Sequence, residues 1–357
     1  MEMRKKFDEI FEDCTKLGTK IKTDGYHSNG KHPIIDQGQE MVAGFTDLED
    51  GLLDAVPAIV FGDHTRIIKY VDCPFFLGAD GVKVLRSKVP NANYRYLYYA
   101  LKNAKIPNTG YNRHYKWLKE LEIEYPPIDQ QVKTVKVLDK VESIIYNRQN
   151  QLQKLDELVK ARFVELFGNP VINNKGWNVS DLGQLTIKIG SGATPKGGKE
   201  AYQTDGISLI RSMNVHNGKF EYKELAHISD EQAARLENVA VEKNDVLLNI
   251  TGASVARSCV VPTNVLPARV NQHVCIIRCK DSIMPDFINS LLIDDNYQDL
   301  LWSIAGSGAT REAITKQQVE SLQIILPPIS KQEEFSKFIN RVDKSKAVEG
   351  LYSSLCL

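Results

Sequence analysis

PPIDQQVKTVKVLDKVESIIYNRQNQLQKLDELVKARFVEL, running from Pro126 to Leu166, is the stretch that decides the architecture. Its two prolines end the element before them, because proline lacks an amide donor and holds its predecessor in extended backbone. Asp129 then offers a carboxylate to cap a first helical turn, and no Gly or Pro follows until Gly168. Leu138, Ile145, Leu152, Val159 and Leu166 recur at a strict seven-residue interval, with Val141 and Leu155 in a partial second column. A helix with such a seam lies along another helix as a coiled coil. Lys, Glu, Gln, Asn and Arg fill the other faces, which reads as solvated surface. About 38 residues at ~1.5 Å each make a rod of roughly 55–60 Å. An average helix has only ~11–12 residues, so a core helix of one globular domain is the weaker reading.

The entrance to this rod occurs twice. LEIEYPPIDQQ, from Leu121 to Gln131, returns as LQIILPPISKQ, from Leu322 to Gln332. At the same offset Leu138, Val141 and Glu142 are matched by Ile339, Val342 and Asp343. The period, near 200 residues, is far too long for a solenoid, so the repeat reads as two duplicated domains, each followed by a helix.

A chain of 357 residues holds two domains plus helices. Its apolar and charged fractions, 42% and 25%, are those of an ordinary soluble protein. No apolar run is long enough for a bilayer, and MEMRKKFDEIFEDC lacks the apolar core of a secretory signal. Six scattered cysteines (Cys14, Cys73, Cys259, Cys275, Cys279, Cys356) suit free thiols in a reducing cytoplasm. The formal net charge is +0, so any nucleic acid must meet local basic patches rather than a basic protein.

The first globular stretch, 1–125, opens on an amphipathic segment around Phe7, Ile10 and Phe11 and a polar loop, Lys20 to His32. Short apolar runs at Pro33–Ile35, Ala58–Phe61, Ile67–Tyr70 and Val82–Leu85 read as strands of a mixed or antiparallel sheet. Asn93–Asn103 reads as helix and Leu121–Tyr125 as a last strand. After the helix 126–167, the stretch 168–326 carries a capping-box signature at Ser229 and Gln232, strands at Asp245–Ile250 and Val274–Arg278, and helix over Asp286–Ile304. PAIVFGDHT (Pro57–Thr65) matches DVLLNITGA (Asp245–Ala253), and GVKVLRSK (Gly81–Lys88) matches HVCIIRCK (His273–Lys280). The fold class is α+β: two duplicated domains separated by long helices.

Catalytic motifs fail on inspection. Gly192–Lys199 suggests a phosphate loop, but Ala193 stands where the first Gly belongs and Glu200 where Ser or Thr should follow the Lys. His273, Cys275 and Cys279 contain no CxxC pair and read as a buried strand. There is no GxSxG elbow and no dinucleotide fingerprint. Where FGDHT carries Asp63 and His64, the second copy has Asn249-Ile250-Thr251 and Gly252, with no acid or base. The chain therefore reads as non-catalytic.

The loops are rich in residues that contact DNA: Arg and Lys for phosphate or guanine, Asn and Gln for adenine. In the first stretch they are Lys22, His27, Asn29, Lys31, His32, His64, Arg66, Lys69, Tyr111, Arg113 and His114. In the second they are Thr194, Lys196, Lys199, Arg211, Asn214, His216, Asn249, Thr251, Arg257, Asn271, Gln272, Thr310 and Arg311. Any one alone reads as an ordinary loop residue; as a set at matching places they favour binding.

With these motifs in order, SGATP (Ser191–Pro195), DVLLNITGASVARSCVV (Asp245–Val261), VNQHVCIIR (Val270–Arg278), GDHT (Gly62–Thr65), TGYNRHYKWLKELEIEYPPIDQQ (Thr109–Gln131) and LPPISKQEEF (Leu326–Phe335), the chain resembles the specificity (S) subunits of type I restriction-modification systems over essentially its whole length. The resemblance implies two target-recognition domains, each reading half of a bipartite double-stranded DNA site. It implies long helices that pack antiparallel and dock methyltransferase (M) subunits, with restriction (R) subunits as further partners. It also implies that S-adenosylmethionine, ATP and Mg are used by those partners, with no cofactor in this chain. One departure stands out: the second helix, 327–357, reads as shortened, with Lys346 for Ile145, Ser353 for Leu152, and Gly350 in AVEGLYSSLCL. Val159–Leu166 is then expected to lack its partner, and the chain to self-associate or to depend on the methyltransferase subunits for solubility. The rival readings are a coiled-coil protein-interaction scaffold without DNA binding, and a self-sufficient nuclease or methyltransferase.

Overall fold

The computed structural model describes residues 4–110, 112–195, 197–306 and 312–354, with Lys199 and 347–354 as backbone only. The chain forms two compact units, Met1–Tyr146 and Asn147–Leu357. Their boundary falls inside one helix of 40 residues, Ile128–Phe167.

The first unit is built on an antiparallel sheet in the order Phe11–Asp13, Val82–Ser87, Ala58–Gly62, Ile68–Val71. The central strand is a continuous apolar run because both of its faces are covered. Ile59 and Phe61 pack with Phe11, Leu85 and the helix Tyr94–Lys102. Ala58 and Val60 pack with Ile35, Leu53, Phe75 and Leu77 on the opposite face. A smaller sheet, Gly44–Thr46, His32–Ile35, Phe76–Leu77, supplies that second layer, and its last pair is parallel.

The second unit repeats the plan. Its main sheet runs Thr186–Ser191, Val274–Cys279, Val246–Asn249, Ser258–Val260. The two inner strands again alternate: Val246, Leu248, Cys275 and Ile277 face one core, Leu247, Val274 and Ile276 the other. The second layer is Ala226–Ile228, Ile207–Ile210, Ala268–Val270, Ala240–Val241, with one parallel pair. Ala58–Gly62 and Val246–Asn249 thus hold the same place in their sheets, as do Val82–Ser87 and Val274–Cys279. The stretch expected as one helix over Asp286–Ile304 is two, Pro285–Leu292 and Asp295–Gly306. Ser229 does cap its helix, accepting from the Gln232 amide at 3.3 Å, but the α-helix, which the sequence suggests to run through Asn238, ends at Arg235.

The Pro-Pro entrances show why the glutamines repeat. Gln131 and Gln332 are both buried, and each Nε2 donates at 2.8 Å to the carbonyl of the first proline of its own pair. The Gln131 amide donates to Pro127 O at 3.1 Å, so the cap is Pro127. Asp129 lies one step further in, within the first turn, where its charge suits the positive end of the helix dipole.

The seven-residue column is not one uniform seam. Leu138 and Val135 pack on the aromatic cluster of the first unit. There Arg95 donates to Asp139 at 2.6 Å, Tyr99 donates to Asp139 at 2.7 Å, and Lys102 pairs with Glu142 at 2.6 Å. Leu166, together with Phe163 and Phe167, is buried in the core of the second unit. The expectation that Val159–Leu166 lacks a partner is therefore corrected: Phe163 and Phe167 are covered by Phe287 and Phe335. Ile145 and Leu152, between these anchors, are only half-buried. The second long helix, Ile329–Ser354, continues through Gly350, where the sequence had suggested that the rod fades. Its Glu334 meets Arg162, and its Lys346 meets Asp156 at 2.6 Å, so rising numbers on one helix face falling numbers on the other.

The Arg95 network carries a pH signature. Despite partial desolvation, hydrogen bonds from Tyr99 and Arg95 hold the Asp139 carboxyl below its usual range, and desolvation of Glu142 is likewise outweighed by Lys102 and Tyr99. Depressed carboxyls stabilise the fold fully above their unfolded values, near pH ~4, and lose that contribution as pH falls through the lower folded values. Arg95→Met should weaken this attachment by about 1–2 kcal/mol, a charged hydrogen bond discounted for exposure. Faster amide exchange over residues 132–146 at neutral pH, converging with the parent at acid pH, is the expected result.

Candidate nucleic-acid interface

Antiparallel order gathers four strand ends, and the loops that leave them, at one end of each main sheet. In the second unit Thr186–Ser191 and Val246–Asn249 finish there, while Val274–Cys279 and Ser258–Val260 begin there. The loops are pinned by backbone bonds. Gly192 N donates to Asn271 O at 3.1 Å, and a Cβ on Gly192 would sit 1.7 Å from Val270 O, so no other residue fits. Gly252 N donates to Glu312 O at 2.9 Å and Ile314 N to Ile250 O at 2.8 Å. The hairpin after the inner strand is thus tied to the segment before the helix Lys316–Glu320.

On this platform four side chains form a chain of hydrogen bonds: Thr194 to Gln272, Gln272 to His273 at 3.0 Å, and His273 to Thr251. Arg257 is half-exposed in the same hairpin and makes no side-chain hydrogen bond or ion pair among the described residues. The Arg211 guanidinium lies 5.2 Å over the Tyr202 ring and donates to Glu224 O. His216 is half-buried in the short strand Val215–His216. Lys199 lies in the turn Gly198–Ala201, and Lys196, Thr310, Arg311 and Tyr111 lie outside the described residues.

Three sequence candidates of this unit are corrected to framework. Asn214 is fully buried, accepting from Arg211 N at 3.1 Å and donating to Glu221 O at 2.9 Å. Asn249 is also fully buried and donates to Ser212 O at 2.8 Å. Asn271 is buried and accepts from His273 N at 3.0 Å, which shapes the turn carrying Gln272. The bonds these amides make go to the backbone, as burial of polar groups requires; Asn249 Oδ1 is buried with no hydrogen-bond partner among the described residues.

In the first unit the corresponding hairpin, Gly62–Ile67, is organised by Gln37. Gln37 accepts from His64 N at 3.1 Å and donates to Asp80 O at 3.0 Å, and its carbonyl accepts from Thr65 Oγ1 at 2.7 Å. Asp63 is buried: its carboxylate accepts from Tyr115 N at 2.7 Å, and its carbonyl meets His114 N at 2.8 Å and Nδ1 at 3.0 Å. GDHT and TGYNRHYK are therefore two halves of one joint, and His114, fully buried, is corrected to structure. Lys69 is corrected likewise: it is buried, pairs with Asp36 at 3.3 Å, and burial holds its ammonium below the usual range.

Lys22, His27, Asn29, Lys31 and Arg113 are exposed. Lys31 pairs with Glu49 at 2.9 Å, and half-buried His32 approaches the same carboxylate at 3.3 Å. Arg66, in the left-handed region at φ 64, donates to Ile106 O at 3.3 Å. Two residues at these loops were not among the DNA-contact candidates of the sequence reading. His273 follows Gln272 and could have been found by adjacency. Asp80 holds the place before its strand that Gln272 holds in the second unit, and pairs with Lys20 at 2.9 Å. The equivalent positions thus present opposite chemistry, a carboxylate in one unit and an amide in the other.

Cys275 is a core residue whose thiol is pushed up to about 12 by burial. Among the described residues no group of three or more His, Cys, Asp or Glu side chains is placed to hold a metal ion, and no helix is long and apolar enough to cross a membrane.

These features, two copies of one α+β plan with pinned polar loops at the sheet ends and a long helix after each, coincide with one family. The Type I restriction modification DNA specificity domain matches residues 3–157 and again 174–351. The chain belongs to this family of DNA-specificity subunits. It is 20% identical over 360 residues to the Type I restriction enzyme EcoR124I/EcoR124II specificity subunit of Escherichia coli, covering 96% of this chain and 86% of that one. It is 22% identical over 239 residues to the putative type I restriction enzyme MjaX specificity subunit of Methanocaldococcus jannaschii, covering 61% of this chain and 51% of that one. Among solved structures, the S subunit of a type I restriction-modification system from M. genitalium superposes with TM-score 0.59 at 15% identity, covering 99% of this chain and 92% of that one. A chain from a study of type I R-M complex assembly and conformational transition gives TM-score 0.51 at 16% identity, covering 99% and 94%.

Proposed function

We propose that this chain gives a type I restriction-modification complex its sequence specificity without catalysing a reaction itself. Each unit reads one half of a bipartite double-stranded DNA site through the loops at the end of its main sheet. The two long helices pack as an antiparallel coiled coil, fix the gap between the half-sites, and dock methyltransferase and restriction subunits. S-adenosylmethionine, ATP and Mg are used by those partners, and this chain holds no cofactor of its own. The observation that carries this reading is the duplication down to loop anchorage: both units tie the hairpin of an inner strand to the segment ahead of their last short helix, Tyr115–Lys119 in the first and Lys316–Glu320 in the second. Spacing matters because a duplex presents the same face once per turn. The different residues at the matched position, Asp80 and Gln272, are what two unlike half-sites require.

Domain exchange tests the reading. Replacing residues 178–326 with the equivalent stretch of a relative should change one half of the recognised motif and leave the other intact. A change in both halves contradicts it. Binding of duplex DNA in gel shifts should also weaken steeply with salt, since phosphate contacts release counterions; salt-insensitive binding or none favours a protein scaffold.

A further inference from the structure

We propose that Gln272 reads one A·T base pair in the half-site of the second unit, with Thr194 and His273 as its positioning residues; this rests on the DNA-reading function proposed above. Gln272 is exposed at the tip of a turn whose backbone is fixed by Gly192 N to Asn271 O and by His273 N to the Asn271 side chain. Its amide is oriented from both sides. The Thr194 hydroxyl donates to Gln272 Oε1, and Gln272 Nε2 meets His273 Nε2 at 3.0 Å. An amide nitrogen only donates, so the ring Nε2 accepts, and the ring proton sits on Nδ1, directed at Thr251 Oγ1.

Each terminal atom of Gln272 then has one interaction taken and one left. Oε1 keeps a lone pair and Nε2 keeps an N–H, so the exposed amide still offers one acceptor and one donor. That acceptor–donor pair is the complement of adenine N6–H and N7 in the major groove, the bidentate pairing open to Asn and Gln. Guanine offers two acceptors there and would leave Oε1 facing another acceptor. Because the side chain is held before DNA arrives, little rotamer freedom is lost on binding.

The test is selection of a randomised duplex DNA library by the full chain. The parent should enrich a bipartite motif with an invariant A·T pair in the half assigned to the second unit by the domain exchange. Gln272→Ala should lose preference at that one position, with affinity for the parent motif down roughly 10- to 100-fold. Gln272→Glu should move the preference toward C·G, since a carboxylate accepts from cytosine N4. His273→Phe, which keeps the ring but not the bond, should relax the same position while the other half stays intact. If the parent enriches no motif, the DNA-reading function itself fails and this inference with it. If the parent enriches a motif that Gln272→Ala leaves unchanged, or the variant loses a position other than A·T or both halves together, the inference alone is overturned. An unchanged melting temperature for Gln272→Ala separates lost reading from lost folding.

Discussion

Phe335→Ala is expected to remove about 3–5 kcal/mol from the stability of the second unit. Phe335 is fully buried on the second long helix. Its ring lies 5.6 Å from Phe163 and 5.4 Å from Phe167 in edge-on arrangements, and those two rings pack on Phe287 at 5.8 Å and 4.8 Å. One ring therefore closes a joint between three elements: the last turn of Ile128–Phe167, the helix Pro285–Leu292 and the helix Ile329–Ser354. Truncation leaves a cavity that three helices from different parts of the chain can close only by moving together. Amide exchange of the second unit in increasing urea measures it. A loss below ~1 kcal/mol would show that the cluster relaxes freely and is not the anchor described.

Arg278→Met is expected to cost a similar amount, about 3–5 kcal/mol, for a different reason. Asp245 is fully buried at the start of an inner strand and accepts from Arg278 Nε at 2.8 Å, Arg278 Nη2 at 2.9 Å and Glu242 N at 2.7 Å. Removing the guanidinium leaves a buried carboxylate with a single donor. The double variant Arg278→Met with Asp245→Leu should recover most of the loss, because an absent charge needs no partner. Thermal unfolding of the two variants checks this; equal stability of single and double variants would mean that the pair is dispensable. The same Asp245–Arg278 pair joins DVLLNITGA to HVCIIRCK, two segments that sequence matching singled out without seeing that they touch.

What the sequence made legible was whatever repeats or alternates. The Pro-Pro entrances, the inner strands Ala58–Gly62 and Val246–Asn249, and the strands beginning at Val82 and Val274 stood out as apolar runs, because strands covered on both faces need them. Strands such as Arg4–Lys6 and Asn178–Asp181 did not, since their residues are polar and only the partners Glu122–Glu124 and Gln323–Leu326 make them strands. The heptad column was seen, but not that its two ends belong to two domain cores. Among the loop candidates, residue type alone could not separate Asn214, Asn249, Asn271, His114 and Lys69, which hold the framework, from exposed Gln272. An amide that binds backbone and an amide that binds a base look alike until burial is known.

The most direct measurement of the central claim is sequencing of modified bases in the genome of a host carrying this gene together with its methyltransferase subunit. The account predicts one modified motif made of two specific parts separated by a gap of fixed length and free sequence. A single contiguous motif, or modification without any sequence preference, would contradict it.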